Sequence, residues 1–207
     1  MLQRIIVLCL VALVGSGANA SLVYTGSLST EEGLTGTGIW VTGEKPTTFG
    51  WEVSLNGSNW HYKYTLSVPK KEISHFNIEV SDTFRCDDLL NESGNFNSVY
   101  IGSIFPQSGN PGMPSSINGI KFDETWGVLL VVEFDTPRSP VWGDFYAKNG
   151  NTDSIPNAVW NSGFGPDPLD SPTNGSFNNK ILVPDTVPEP ASLGLLFLGA
   201  PALFLKR

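Results

Sequence analysis

Alternation of apolar and polar side chains with a period of two dominates the middle of the chain. Trp51, Val53 and Leu55 alternate with Glu52 and Ser54; Trp60, Tyr62, Tyr64 and Leu66 alternate with His61, Lys63 and Thr65; Phe76, Ile78 and Val80 alternate with Asn77 and Glu79. Side chains two apart share a face of an extended chain, so each run reads as a half-buried strand. Asn56-Gly57 supplies turn chemistry between the first two runs, and Pro69-Lys70-Lys71 separates the second from the third. Further strands are expected at 22–29, 36–42, 98–105, 116–122, 126–134, 141–147 and 180–184, about ten in all. Val128 to Val132 is apolar on both faces, which places it centrally in a sheet. No helical stripe runs through this part, although Asp87 to Asn91 could form one turn. Many short strands with Gly, Asn and Pro turns predict an all-β fold. The expected form is an antiparallel β-sandwich, with a jelly roll as one version of it. Residues 149–179 break the pattern: these 31 residues hold seven Asn, four Pro and four Gly, and are expected as a long surface loop pinned by Trp160.

At both ends the alternation gives way to continuous apolar runs. Arg4, the apolar Ile5 to Val14 and the small-x-small Ala18-Asn19-Ala20 form the three parts of a secretory signal peptide, with cleavage by signal peptidase before Ser21. At the other end Val187-Pro188-Glu189-Pro190-Ala191-Ser192 leads into an apolar stretch and then Lys206-Arg207. The two prolines bias the chain to an extended form that displays Glu189. Ala191 to Leu205 would make a helix of roughly 22 Å against a hydrocarbon core of about 30 Å, a short transmembrane helix that needs local thinning. Lys206 and Arg207 suit its cytoplasmic end. The expected organisation is a signal peptide at 1–20, a β-sandwich ectodomain at 21–183, a stalk at 184–187 and a sorting segment at 188–207, with its transmembrane helix at 191–205.

In motif, apolar helix and basic end, taken in that order, the tail resembles the PEP-CTERM sorting signal of Gram-negative and related bacteria. The resemblance rests on Val187, Pro188, Glu189 and Pro190, the small Ala191 and Ser192, the Gly-containing apolar stretch, and Lys206 with Arg207. It implies removal of the tail by exosortase, a membrane protease-transferase. The protein would be held in the membrane by its C-terminal helix before processing, then left at the cell surface, in the outer envelope or in the extracellular matrix. The tail departs from the pattern in two ways: Pro201 interrupts the helix, and the basic cluster has two members. An ordinary single-span anchor preceded by a chance Pro-Glu-Pro is the alternative. Ile73 to Ser81 and Val141 to Gly150 are similar to blocks that recur in ectodomains carrying such tails. That second resemblance implies a setting among extracellular polysaccharides and no particular activity.

Charge narrows the partners. Between Ser21 and Val187 there are 19 acidic and 9 basic side chains, a formal charge of −10. A sequence-independent nucleic-acid binder is thereby excluded. The chain's charged fraction is only 15%, so its polar surface must come largely from Asn, Ser, Thr and Gly.

Candidate chemistry is sparse. His61 and His75 read as solvent-facing or strand-end residues, and no paired-Cys or His-x-x-x-His metal pattern is present. Cys86, the one cysteine outside the signal peptide, is expected to be buried, or else bonded to another chain. There is no Gly-x-Ser-x-Gly elbow and no phosphate loop, no catalytic residue is nominated, and the chain is not expected to be an enzyme. Asp82, Asp87, Asp88, Asn91 and Glu92 lie within eleven residues and could hold Ca²⁺, against the simpler reading of a solvated acidic loop. No other cofactor is expected. Trp40, Trp142 and Trp160 could stack on sugar rings, against the simpler reading of core anchors. The resulting expectation is an exported, exosortase-sorted, non-enzymatic protein of the envelope or matrix, associated with exopolysaccharide. A carbohydrate-binding module using exposed aromatics is the alternative, and a hydrolase on the same fold a weaker one.

Overall fold

The structure, a computed structural model, describes residues 22–184. The signal-peptide residues Ala18, Ala20 and Ser21, the motif Val187 to Pro190, the helix at 191–205 and Lys206-Arg207 lie outside the described residues. Among the described residues no helix is long and apolar enough to cross a membrane.

The chain folds as antiparallel β-structure. One sheet has five strands in the order β1 (Val23–Ser29), β3 (Thr48–Asn56), β4 (Asn59–Ser67), β9 (Leu129–Thr136), β6 (Leu90–Gly94). The other has six, in the order β2 (Leu34–Thr37), β12 (Ile155–Asn161), β11 (Phe145–Thr152), β5 (His75–Glu79), β8 (Ile117–Asp123), β7 (Ser98–Phe105). A two-stranded ribbon, β10 (Pro140–Gly143) with β13 (Ile181–Pro184), completes the fold.

The alternating runs do what their period requires. Phe49, Trp51 and Val53 of β3, Tyr62, Tyr64 and Leu66 of β4, and Leu130, Val132 and Phe134 of β9 point inward from the first sheet. They meet Phe76, Ile78, Ile120, Phe122, Phe145 and Val159 of the second. Phe49 stacks on Phe145 across the gap at 4.0 Å between centroids and also touches Phe76 and Tyr64. This is sheet-on-sheet packing, with an aromatic centre.

Several boundaries differ from expectation. The strand expected at 36–42 stops at Thr37, where Gly38 at φ +66° starts a 3₁₀ turn, Gly38–Trp40, held by the Ile39 N–H donating to Asn157 Oδ1. The strand expected at 141–147 divides at Asp144 into β10 and β11. Residues 149–179 are not one loop. β11 continues to Thr152, then turns through Asp153 and Ser154, both at positive φ, into β12. The irregular stretch therefore begins only after Asn161. Val128 to Val132 does lie inside the sheet, with β9 between β4 and β6, but only Leu130 and Val132 are buried, while Val128 and Leu129 are 46% and 51% exposed. The turn expected near Asp87 is the 3₁₀ turn Cys86–Asp88, followed by the unforeseen edge strand β6.

The second sheet is also covered on its outer face. The chain between β7 and β8 folds over β11 and β12, where Met113, Ile117, Tyr146, Ala158 and Trp160 form a smaller cluster and the Tyr146 hydroxyl donates to Pro111 O at 2.8 Å. Outward-facing positions of this sheet are thus buried, which matters for the polar residues among them.

Candidate functional site

The most concentrated chemistry lies at one corner of that covered face. Glu79 ends β5 and, by alternation, points away from the aromatic core. Asp144 is the junction residue between β10 and β11; its own N–H donates to Glu79 Oε2 at 2.9 Å, and its carbonyl accepts the Glu79 N–H at 2.9 Å. Asn161, at the end of β12, donates to Asp144 Oδ1 at 2.7 Å and accepts the Phe145 N–H at 2.9 Å, fixing the junction. From the excursion after β12, the Gly165 N–H donates to Asp144 Oδ2 at 2.9 Å, and Asp167 adds a third carboxylate. Oxygen atoms of Glu79, Asp144 and Asp167 lie within 4.8 Å of one another.

Lys180, the residue before β13, reaches into this cluster. Its Nζ donates to Asp144 Oδ1 at 2.8 Å, Asp167 Oδ1 at 2.7 Å and the Gly165 carbonyl at 2.6 Å, using all three ammonium protons. The side chains of Lys180 and Asp144 are each 2% exposed. A cradle of carboxylates that could serve a cation is thus served by a resident ammonium. Burial pulls Lys180 down, but the bonds to Asp144 and Asp167 outweigh it and leave its pKa above the ordinary value. Burial, followed by the Asp167 and Asp144 carboxylates, pushes Glu79 up to about 8. Burial also raises Asp144, against its bonds from Asn161, Lys180 and Gly165. Near neutral pH Glu79 therefore carries a proton, beside the ammonium of Lys180.

The residues nominated from sequence are placed otherwise. Asp82, Asp87, Asp88, Asn91 and Glu92 do not converge. Asp88 pairs with Arg138 at 2.8 Å, Asn91 donates to Asp135, and Asp82, Asp87 and Glu92 are exposed. Trp40 and Trp142 are wholly buried and Trp160 is 8% exposed, so none offers a ring face to a sugar. Trp40 fills the core, Phe177 stacks on Trp142, and Gly112 and Met113 cover Trp160. Cys86 is exposed rather than buried.

The two histidines part ways. His61 is half-exposed on the outer face of the first sheet, with Nδ1 2.8 Å from Asp135 Oδ1. His75 is buried, 3.3 Å from Asn110 Oδ1, and burial, then Lys121 and Lys148, lower it to about 4.

The surface elsewhere carries shallow hollows. One of about 390 Å³ lies beside β2, lined in part by Glu31, Thr35, Val41 and Lys45; another of about 310 Å³ lies over Gly26, Gly50 and Trp51. The carboxylate corner gave no local signal beyond the lone Lys180 heading an apolar strand, because its members are far apart in the chain.

Against known proteins, no family model and no curated protein matches the chain. Among solved structures it is similar to the KRT10-binding region domain of the pneumococcal serine rich repeat protein PsrP. Identity is 15% over 72% of this chain and 91% of that one, and the TM-score of 0.21 is too low to carry any argument.

Proposed function

We propose that this is an exported, exosortase-sorted, non-enzymatic protein of the bacterial envelope or extracellular matrix, associated with exopolysaccharide. The observation that carries the reading is the ordered tail: Val187-Pro188-Glu189-Pro190, an apolar stretch, then Lys206-Arg207. The placement of the chain ends is in keeping with it. Leu22 accepts the Leu55 N–H near the β3–β4 hairpin, Trp60 of that hairpin pairs with Thr136, and Pro184 pairs with Pro140 just beyond Thr136. Both described ends therefore leave from one end of the sandwich. The turn before Leu129 lies at the other end of β9, about 24 Å away along the strand. A domain tethered by its C-terminus would present that far turn outward.

The test is Glu189→Ala in the native host: the variant accumulates unprocessed at the membrane. Unchanged release and mass would contradict sorting by exosortase.

One observation favours a second reading, carbohydrate binding through an exposed aromatic. Trp126, 45% exposed, sits in that far turn beside Val128 and Leu129. The turn is rigidly held, with the Ile73 N–H donating to Gly127 O at 3.0 Å and the Val68 N–H to Val128 O at 2.9 Å. Exposed Trp faces suit sugar rings. Retention of host polysaccharide by the protein and its loss in Trp126→Ala would support this reading.

A further inference from the structure

The carboxylate corner gathers side chains from four parts of the chain: the end of β5, the β10–β11 junction, the excursion between β12 and β13, and the root of β13. We propose that Glu79, Asp144, Asp167 and Lys180 form an acid-tightened latch that fastens residues 162–180 to the sandwich and slackens as the pH rises.

The geometry supplies the fastening. Within the excursion, Gly165 is gripped at both its N–H and its carbonyl, by Asp144 and Lys180, and Asp167 is held by Lys180. The other ties of this segment to the sandwich are neutral: Ser162 N–H to Gly33 O at 2.9 Å, Thr25 N–H to Asn174 Oδ1 at 2.9 Å, Gly175 N–H to Thr25 O at 2.7 Å, and Phe177 stacked on Trp142. The charged grip on this segment is therefore concentrated at the corner.

The groups facing Glu79 set the sign. Asp144 faces it from the β10–β11 junction, Asp167 from the excursion and Lys180 from the root of β13. From β8 the residue opposite is the uncharged Gly119, and Lys121 of that strand is committed to Asp123 at 2.6 Å. A proton on Glu79 leaves two carboxylates sharing one ammonium. Its loss puts a third negative charge beside them in a poorly hydrated corner, and opening the latch relieves that charge by hydration. Glu79 has a raised pKa when latched, about 8, and its ordinary value of 4.5 when released into water. A group raised in the closed state favours closure fully below its released pKa, and that preference is lost as pH climbs to the closed-state value. The latch should therefore weaken up to about pH 8 and level off above it. Asp144, also raised, acts in the same direction.

Hydrogen–deuterium exchange of the full chain, read by mass spectrometry and corrected for intrinsic rates, tests this directly. Protection of peptides covering 162–180 is expected to fall roughly fivefold or more between pH 6.5 and 8, within the ceiling of tenfold per pH unit for one titrating group. It should stay level from pH 8 to 9, while β3 and β4 peptides do not follow it. Glu79→Gln keeps the segment protected and removes the slope. Asp167→Asn, at an accessible position, shifts the slope to lower pH because one repelling carboxylate is gone. Protection of 162–180 that is flat with pH in the unaltered protein, or a slope that persists unchanged in Glu79→Gln, would overturn the latch. So would a slope left in place by Asp167→Asn.

Discussion

The aromatic centre is wholly buried and the carboxylate corner only in part, with Lys180 and Asp144 buried, Glu79 half-buried and Asp167 exposed, and the two hold the molecule by different physics. In the centre, Phe49, Tyr64, Phe76 and Phe145 pack ring against ring, and no charged group takes part. Its stability comes from area removed from water and from close packing, neither of which responds to pH. At the corner, a buried ammonium and three acidic side chains are kept only because hydrogen bonds satisfy them, and such a set changes strength when one proton is gained or lost. The centre is built to be permanent and the corner to be adjustable.

The largest expected effect breaks the centre. Phe49→Ala removes a fully buried ring that touches Trp51, Tyr64, Phe76 and Phe145, and should cost about 4 kcal/mol in urea unfolding, equally at pH 6.5 and 8. Next comes Lys180→Met, which leaves Asp144 buried without its cation; a loss of about 3 kcal/mol at neutral pH is expected from the same measurement. If Lys180→Met proved neutral, the corner would be no more than a set of tolerated charges. A smaller change probes the scaffold that joins the two regions. At Gly143 a Cβ would lie 2.4 Å from Val183 Cγ2 and 3.3 Å from Glu79 Oε2, so Gly143→Ala should destabilise by about 2 kcal/mol through overpacking against β13.

His75 complicates any global reading of pH. Lowered to about 4, it adds stability above its ordinary pKa of 6.5 and withdraws it as pH falls toward 4, opposite in sign to Glu79. Between about pH 4.5 and 6.5 the two oppose each other. Above 6.5 His75 no longer opposes Glu79, and up to about 2 kcal/mol is lost by pH 8.

How much of this could be read from residues alone follows the same division. Alternation identified the strands β3, β4 and β5 that enter the aromatic centre: Trp51 and Val53, Tyr62, Tyr64 and Leu66, and Phe76 and Ile78 all point inward. β12 escaped because Pro156, Asn157 and Asn161 interrupt its apolar pattern. Asn157 bonds the Ile39 N–H and the Gly150 carbonyl, and Asn161 bonds Asp144, so these polar side chains are strand residues satisfied by distant partners. Trp142 was expected in a strand and lies in β10, whereas Trp160, expected as the pin of a loop, lies in β12. Whether such a ring is covered depends on Phe177 and Gly112, which no local pattern connects to them. Glu79 was assigned to the polar face of β5 and is there; that it meets Asp144, Asp167 and Lys180 depends on distant chain reaching that corner. Contact with distant chain is invisible to periodicity, and the whole corner is of that kind.

The central claim is that a proton held on Glu79 distinguishes the corner from the rest of the molecule. Carboxyl ¹³C chemical shifts of glutamate-labelled protein, followed from pH 3 to 10 and assigned by Glu79→Gln, measure it most directly. The account predicts that the resonance missing from Glu79→Gln titrates around pH 8. A Glu79 carboxyl that titrates near its ordinary value of 4.5 would contradict it.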